Sequence, residues 1–543
     1  MAAYDFKLLL KHVLEHGVAW APNQEIVYRD LVRYNYTAMY ERVLRLAAAL
    51  QKLGVQRGSK VGVIEWDSHR YLEMYFAIPG IGAVLHTINP RLAPGDLVYT
   101  MAHAEDEVII FHEDFLPLVE KARPHLPFVK HYILISDKKE KPEVKGVDME
   151  YEELLGSAFP LEELPDLDEN TMATLVYTTG TTGKPKGVYF SQRQLVLHTL
   201  CGAVALSAFG NYGGINKHDV YMPLTPMFHV HAWGMPYVAT LFGIKQVYPG
   251  RYEPEMLLKL IIGQKVTFSH CVPTILQMLV SSPAVKGLDF SHWKVVIGGA
   301  RLPKGLALDA LKLGMKVYAG YGLSETCPVL TLAHLKPFME EWDEDKQVDV
   351  MIKTGFITPF VKLRVVNPRG EEVAWDGRET GEIVVRTPWC TQGYYKEPDK
   401  TEELWAGGWM HTGDVANVDG YGYIQIVDRL KDIIKSGGEW ISSLELENLL
   451  SMHEGVLEAA IIGIPDEKWG ERPLAIIVPK EGYEGKLTAE DMKVHLNQFV
   501  EEGVITDWSV PDEYVFIKEI PKTSVGKIDK KVLRSRYGAS QAV

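Results

Sequence analysis

Over residues 40–136, short runs rich in β-branched residues alternate with stretches whose apolar positions recur at helical spacing. RVLRLAAALQKLG reads as a helix stopped by Gly54, KVGVIEW as a strand from Lys60, and HRYLEMYFAI as a second helix. AVLHTIN, EVIIF and HYILI follow as strands. The alternation resumes at TLVYTTG and runs through QVYPG, VTFSH, KVVIGGA and KVYAGYG, separated by the helical PEMLLKLIIG and LPKGLALDALKLG. Such a pattern predicts parallel sheets covered by helices, most economically two α/β layers in one large unit. After about residue 350 the texture changes. VKLRVVN, GEIVVRT and GYIQIVDRL are joined by the turn-rich NPRGEE and NVDGYG, which predicts an antiparallel β-subdomain. From Leu430 the chain mixes LEAAIIGIP, PLAIIVPK and EYVFIKEI with the helical TAEDMKVHLNQFVEEG, a small α+β domain. The fold class is therefore α/β. A large N-terminal domain over residues 1–429 contains two layered α/β subdomains and the β-subdomain, and an α+β domain follows over 430–543.

Composition narrows the classes of function. The 543 residues are 46% apolar and 24% charged, an ordinary globular mixture. Lys+Arg 57 against Asp+Glu 71 gives a net charge of −14, which argues against general nucleic-acid binding. A local loop can still bind phosphate. The four cysteines, Cys201, Cys271, Cys327 and Cys390, lie far apart and form no close metal spacing. They read as reduced, mostly buried thiols of a cytoplasmic protein. Lys7, Lys11 and His12 interrupt the apolar start, which reads as an amphipathic helix and not a signal peptide. No apolar run approaches the ~18 residues that cross a bilayer.

Four segments carry candidate chemistry. YTTGTTGKPKGV, residues 177–188, has three glycines, four threonines and two lysines after an apolar strand and before a helix starting near Ser191. A pliable loop of this kind offers N–H and hydroxyl donors to a polyphosphate. It is not a Walker A loop: Thr178 stands where that motif needs Gly, and Pro185 where it needs a hydroxyl. YGLSET, residues 321–326, follows a strand, where ligands of α/β sheets gather. Tyr321 suits a base, Glu325 a magnesium ion and Thr326 a phosphate, although Ser324 or Thr326 would serve equally as a helix cap. In the third segment, residues 409–440, Asp414 follows a glycine and suits two ribose hydroxyls. There DRLKD joins the β-region to the last domain, and Gly437-Gly438 allow close approach. The fourth, PKTSVGKIDK, lies in a basic stretch where Lys527 follows Gly526.

These four motifs, in this order, resemble the AMP-forming acyl-CoA synthetases of the adenylate-forming superfamily, over about residues 25–535. TPMFHVHAWGMPY, residues 225–237, and DRLKDIIKSGGEWIS look like the fatty acyl branch, where a Trp after the FHV element gates the acyl tunnel. The resemblance implies a two-step reaction. A carboxylate attacks the α-phosphate of ATP to give acyl-adenylate and pyrophosphate, and the thiol of coenzyme A then displaces AMP. A fatty acid of medium or long chain is the implied substrate. Another carboxylic acid, or a non-catalytic nucleotide-binding homologue, is the alternative.

By the same resemblance the loop residues Thr178, Thr179, Gly180, Thr181, Thr182, Gly183 and Lys186 hold the β- and γ-phosphates. Thr178 and Glu325 look like the ligands of Mg2+. Tyr321 stacks on adenine beside Gly299 and Ala300, Thr326 touches the α-phosphate, and Asp414 and Arg429 hold the ribose. Lys527 bridges the acyl carboxylate and the α-phosphate; Lys435 and His229 join the catalytic set. His229, Gly322 and Trp233 belong to the acid side, and Gly437 and Gly438 to coenzyme A. One site must close for the first step and admit a thiol in the second, so the small domain is expected to swivel near 428–433, most sharply at Lys431. Trp233 is expected to lid an apolar tunnel; an ordinary core tryptophan, in a buried helix over 232–242, is the competing reading. The partners implied are small molecules, with no nucleic acid and no membrane span. A homodimer and weak peripheral contact with a membrane stay open.

Overall fold

The computed structural model describes residues 5–138, 144–178, 184–208, 213–437, 439–523 and 528–538. Two α/β layers form most of the large N-terminal part. The first sheet has the strand order Met149–Glu150, His131–Ile135, Asp106–His112, Lys60–Ile64, Val84–Thr87, Met172–Tyr177, Gly187–Ser191. All neighbours are parallel except the last pair. The second sheet is parallel from Glu25–Tyr28 through Lys245–Tyr248, Val220–Tyr221, Phe268–Cys271 and Lys294–Ile297 to Lys316–Gly322. Antiparallel strands close both of its edges. Strands buried on both faces need no polar alternation, and Val84–Thr87 and Phe268–Cys271 are buried at every position.

Sequence order does not decide which layer a strand joins. Glu25–Tyr28 enters the second sheet beside Lys245–Tyr248, and Met172–Tyr177 enters the first. Helix His69–Gly80 is buried along its whole length and touches strands of both sheets. Its charged residues are paired, as burial demands: Arg70 with Asp137 at 2.9 Å and Glu73 with Arg42 at 2.7 Å. Helix Tyr36–Lys52 begins at Asn35, whose side chain accepts the Ala38 N–H. The chain turns away after it at Gly54, whose φ of +87° favours glycine.

Strands Lys362–Val366, Gly381–Arg386, Met410–Val418 and Ile424–Arg429 make the antiparallel β-subdomain. Its core, including Ile383, Val385 and Trp389, is continuous with that of the first layer. The small C-terminal α+β domain has its own sheet, with Gly470–Pro479 at its centre beside the edge strand Val456–Asp466 and an apolar cluster on each face. It meets the rest of the chain where Ser443 donates twice to Asp428 Oδ2, at 2.7 and 2.6 Å, and where Arg301 donates to Leu444 O. All four cysteines are free and buried. Among the described residues, no helix is long and apolar enough to cross a membrane.

Two expectations need correction. The segment after the 177–188 loop is first a strand, Gly187–Ser191, antiparallel to Met172–Tyr177, which the sequence reading lacked; helix Gln192–Ser207 then starts where expected, capped by Ser191. The loop is thus the connection of a β-hairpin, one strand removed from the helix. VYF is apolar and β-branched enough to extend the sheet by one strand before the capping box turns the chain. The second concerns 232–242. Right-handed helix begins at Met235, because Val230, His231, Ala232 and Trp233 take φ of +45°, +57°, +47° and +58°.

Candidate active site

The polar half of the site lies where the two α/β layers and the β-subdomain meet. Strand Lys316–Gly322 ends there, and Gly322 has no alternative: a Cβ on it would lie 1.7 Å from Pro328 O. The Tyr321 hydroxyl donates to Asp414 Oδ2 at 2.8 Å, and Arg429 Nε pairs with Asp414 Oδ1 at 3.0 Å. Asp414 and Arg429 stand opposite each other in the β-subdomain ladder. The carboxylate is 3% exposed. Burial and the neighbouring Asp414 hold the Tyr321 pKa well above the ordinary phenol value, so its hydroxyl remains a donor. Asp414 raises the Arg429 pKa further. Each Asp414 oxygen keeps a lone-pair site for one more donor, as a pair of vicinal hydroxyls requires.

A second polar group stands beside it. The Tyr394 hydroxyl donates to Glu325 Oε1 at 2.8 Å, and the Thr391 N–H donates to Glu325 O. The Lys186 ammonium lies 4.4 Å from the centre of the Tyr394 ring, a cation–π contact. Lys184 makes a similar contact with Tyr99 at 4.6 Å. The hairpin closes with the Thr178 N–H donating to Lys186 O at 2.9 Å. Glu325, Lys186 and Thr178 are therefore brought to one edge of the site. Nothing in the sequence marked Tyr394, which comes from the β-subdomain side of the chain. Thr179, Gly180, Thr181, Thr182 and Gly183 lie outside the described residues, as do Gly438 and Lys527.

Thr326 takes the capping role open to it. Its side chain is fully buried, its hydroxyl accepts the Leu323 N–H at 3.0 Å, and it contacts the carbonyls of Leu323 and Pro328. It builds the turn on which Glu325 stands. Gly299 turns with φ +78° after strand Lys294–Ile297, and Ala300 beside it is exposed. Gly299, Gly322, Tyr321 and His229 line one pocket.

The apolar half adjoins this pocket through Trp233, whose side chain lines both cavities and is 8% exposed. The second cavity lies between helix Gln192–Ser207 and the second sheet, walled by Cys201, Ala205, Met235, Val238, Val296 and Leu332. Its two histidines carry no charge near neutrality, since burial pushes the pKa of His198 and of His270 down to about 3. The indole stacks obliquely on His270 at 5.0 Å. It also lies over Gly298, where a Cβ would come 2.9 Å from Trp233 Cη2. Trp233 ends the left-handed turn of residues 230–233, closed by Gly234 at φ +73°. Each non-glycine residue in this conformation costs roughly 1–2 kcal/mol, so the turn stores on the order of 4–8 kcal/mol.

In the C-terminal domain, Lys435 lies on the exposed middle of strand Ile434–Ser436. Gly437 has φ +61° and packs against the edge-to-face pair Trp469 and Trp508, where a Cβ would meet both at 3.1 Å. Lys431 is exposed, and its neighbour Asp432 pairs with Arg534 at 2.7 Å.

Residues 14–395 match the AMP-binding enzyme family, and residues 445–527 match the AMP-binding enzyme C-terminal domain. The chain belongs to the AMP-binding enzyme family. This AMP-binding enzyme is 42% identical over 540 residues to a long-chain-fatty-acid–CoA ligase of Thermus thermophilus, covering 98% of this chain and 96% of that one. It is 38% identical over 544 residues to a 3-methylmercaptopropionyl-CoA ligase of Ruegeria lacuscaerulensis, covering 98% and 97%. Its fold is similar to the crystal structure of an anthranilate CoA ligase in complex with anthranoyl-AMP, with a TM-score of 0.86 at 24% identity over the whole of both chains.

Proposed function

We propose that this AMP-binding enzyme is an ATP-dependent ligase that activates a medium- or long-chain fatty acid as its adenylate and passes the acyl group to coenzyme A. The observation that carries this reading is the adjacency at Trp233: on one side a pocket that reaches Tyr321, the partner of Asp414, and on the other a cavity without charge. Each CH₂ moved from water into such a cavity contributes ~0.8 kcal/mol, so an apolar wall rewards length in the acid. The named activities of the relatives, with acids as different as fatty acids and a methylthio acid, agree on coenzyme A as acceptor.

In the first step the acid carboxylate attacks the α-phosphorus and pyrophosphate leaves. Asp414 and Arg429 hold the ribose, with Tyr321 against the base near Gly299. Lys186 and the 178–183 hairpin turn hold the leaving phosphates. Two anions have to meet, and cations fixed beforehand offset their repulsion. Lys527 supplies one of them, between carboxylate and α-phosphate. Glu325 fits a magnesium site: one oxygen is held by Tyr394 and the other is not, and Mg2+ commonly binds one or two carboxylates together with substrate phosphates. When bound beside Glu325 and Thr178, the ion would neutralise phosphate charge. His229 lies at the acid end of the pocket, and Trp233 gates the passage to the tail cavity.

In the second step the thiol sulfur bonds to the acyl carbon and AMP leaves. A closed pocket cannot admit it, so the domain over 430–543 turns about residues 428–433, with Lys431 as pivot and 1–429 fixed. Gly437 and Gly438, and Lys435 two residues earlier, travel together and line the thiol's path. The test is pyrophosphate release across straight-chain acids from acetate to oleate, with and without coenzyme A, and with 3-(methylthio)propanoate as an added arm. Activity rising with chain length supports the reading. A preference for the methylthio acid supports the other one, and no adenylation of any acid overturns both.

A further inference from the structure

Residues 227–233 follow strand Val220–Tyr221 of the second sheet, yet side chains from the first layer's segments hold the backbone at Met227 and Phe228. The Met227 N–H donates to Asp67 Oδ1 at 2.7 Å, the Tyr75 hydroxyl donates to Met227 O at 2.5 Å, and the Thr87 hydroxyl donates to Phe228 O at 2.9 Å. Asp67 is fixed in turn, because Oδ2 accepts the Tyr252 hydroxyl at 2.6 Å and its carbonyl accepts the Gly250 N–H at 2.8 Å. Asp67, Tyr75 and Thr87 are all buried. The left-handed turn begins two residues after the last of these bonds.

A run of strained residues persists only where its surroundings over-determine it. Within the turn the Ala232 N–H donates to His229 O at 3.1 Å and the Gly234 N–H to His231 O at 2.9 Å, bonds that close it without fixing where it points. It contains no glycine before Gly234, and both ring nitrogens of His231 lack a hydrogen-bond partner among the described residues. The first layer fixes the peptides on either side of Phe228, where the chain enters the turn.

We propose that Asp67, Tyr75 and Thr87 are positioning residues forming a clamp, which keeps residues 230–233 left-handed and thereby holds Trp233 across the passage between the two pockets. This rests on the reading of Trp233 as a gate. The clamp sets the fraction of molecules open without nucleotide. The apparent affinity for the acid is the intrinsic affinity reduced by that fraction. Nucleotide can favour the open form only through better contacts in that form.

The test uses Thr87→Val and Tyr75→Phe, singly and together, with Thr87→Ser as the variant that keeps the hydroxyl. The dissociation constant of decanoate is measured by calorimetry with and without a non-hydrolysable ATP analogue, beside the thermal midpoint. The wild-type ratio is expected to be about tenfold or more. In the double variant decanoate should bind more tightly without nucleotide, shrinking the ratio at least about threefold, while affinity with the analogue stays as in wild type. Thr87→Ser should keep the wild-type ratio. Should the double variant fail to fold, the single variants carry the same expectation at smaller amplitude. Folded variants that bind decanoate with the wild-type ratio overturn the clamp. Trp233→Ala separates the two ideas. If it abolishes the ratio while the clamp variants keep it, only the clamp falls. If it too keeps the ratio, the gate falls and the clamp with it.

Discussion

In the polar half of the site, one buried carboxylate takes a tyrosine hydroxyl and an arginine from two other segments, and a second carboxylate takes a tyrosine. In the apolar half the histidines are neutral, and the defining feature is a backbone turn held against its own preference. Paired polar groups fix geometry whatever acid is present. A strained turn beside an uncharged cavity responds to what fills it. Variants in the first half should therefore act alike on every acid, and variants in the second should discriminate among acids.

Glu325→Gln should have the largest effect, a loss of ~10²–10³ in pyrophosphate release by the same factor for butyrate and decanoate. Tyr394→Phe removes only the hydrogen bond to that carboxylate and should cost less than about tenfold. A Glu325→Gln loss confined to long acids would break the division into halves. Asp414→Asn comes next. It should raise the KM for ATP by ~10–100-fold, the usual range for one lost hydrogen bond to a charged group, again independently of the acid. Initial rates over an ATP series at two saturating acids decide it.

Trp233→Ala tests the other half. Acid binding should lose its dependence on nucleotide, while the melting temperature falls only modestly. An ordinary core tryptophan predicts the reverse, a stability loss of ~3–5 kcal/mol with the nucleotide dependence intact. The smallest effect belongs to His231, whose pKa burial pushes from 6.5 down to about 3. As pH falls below 6.5 the unfolded chain takes up this proton and the folded chain does not. The stability that neutral His231 contributes is present above pH 6.5 and is lost towards pH 3, at up to about 1.4 kcal/mol per pH unit. His231→Asn keeps a side chain tolerant of the left-handed turn and removes that slope. Urea unfolding at pH 7 and 5.5 should show wild type losing ground to the variant; a constant difference would mean that the ring titrates normally.

Local chemistry made much of this protein readable in advance. Apolar runs at strand length and helical periodicity gave the two α/β layers, the β-subdomain and the C-terminal domain, because burial on a sheet face or a helix stripe leaves a repeat in the sequence itself. Tyr321, Asp414 and Arg429 each stand in a motif visible in the sequence, and tertiary structure joins their side chains. Other features leave no local trace. Which sheet receives Glu25–Tyr28, that Tyr394 holds Glu325, and that Thr326 turns its hydroxyl into its own turn all depend on partners distant in the chain. Strand Gly187–Ser191 leaves little trace because five residues fit between a loop and a capped helix. The left-handed turn before Trp233 is the extreme case. Val230, His231, Ala232 and Trp233 each prefer the right-handed region on their own, and the bonds from Asp67 and Thr87 to the chain just before them come from residues more than 140 positions away.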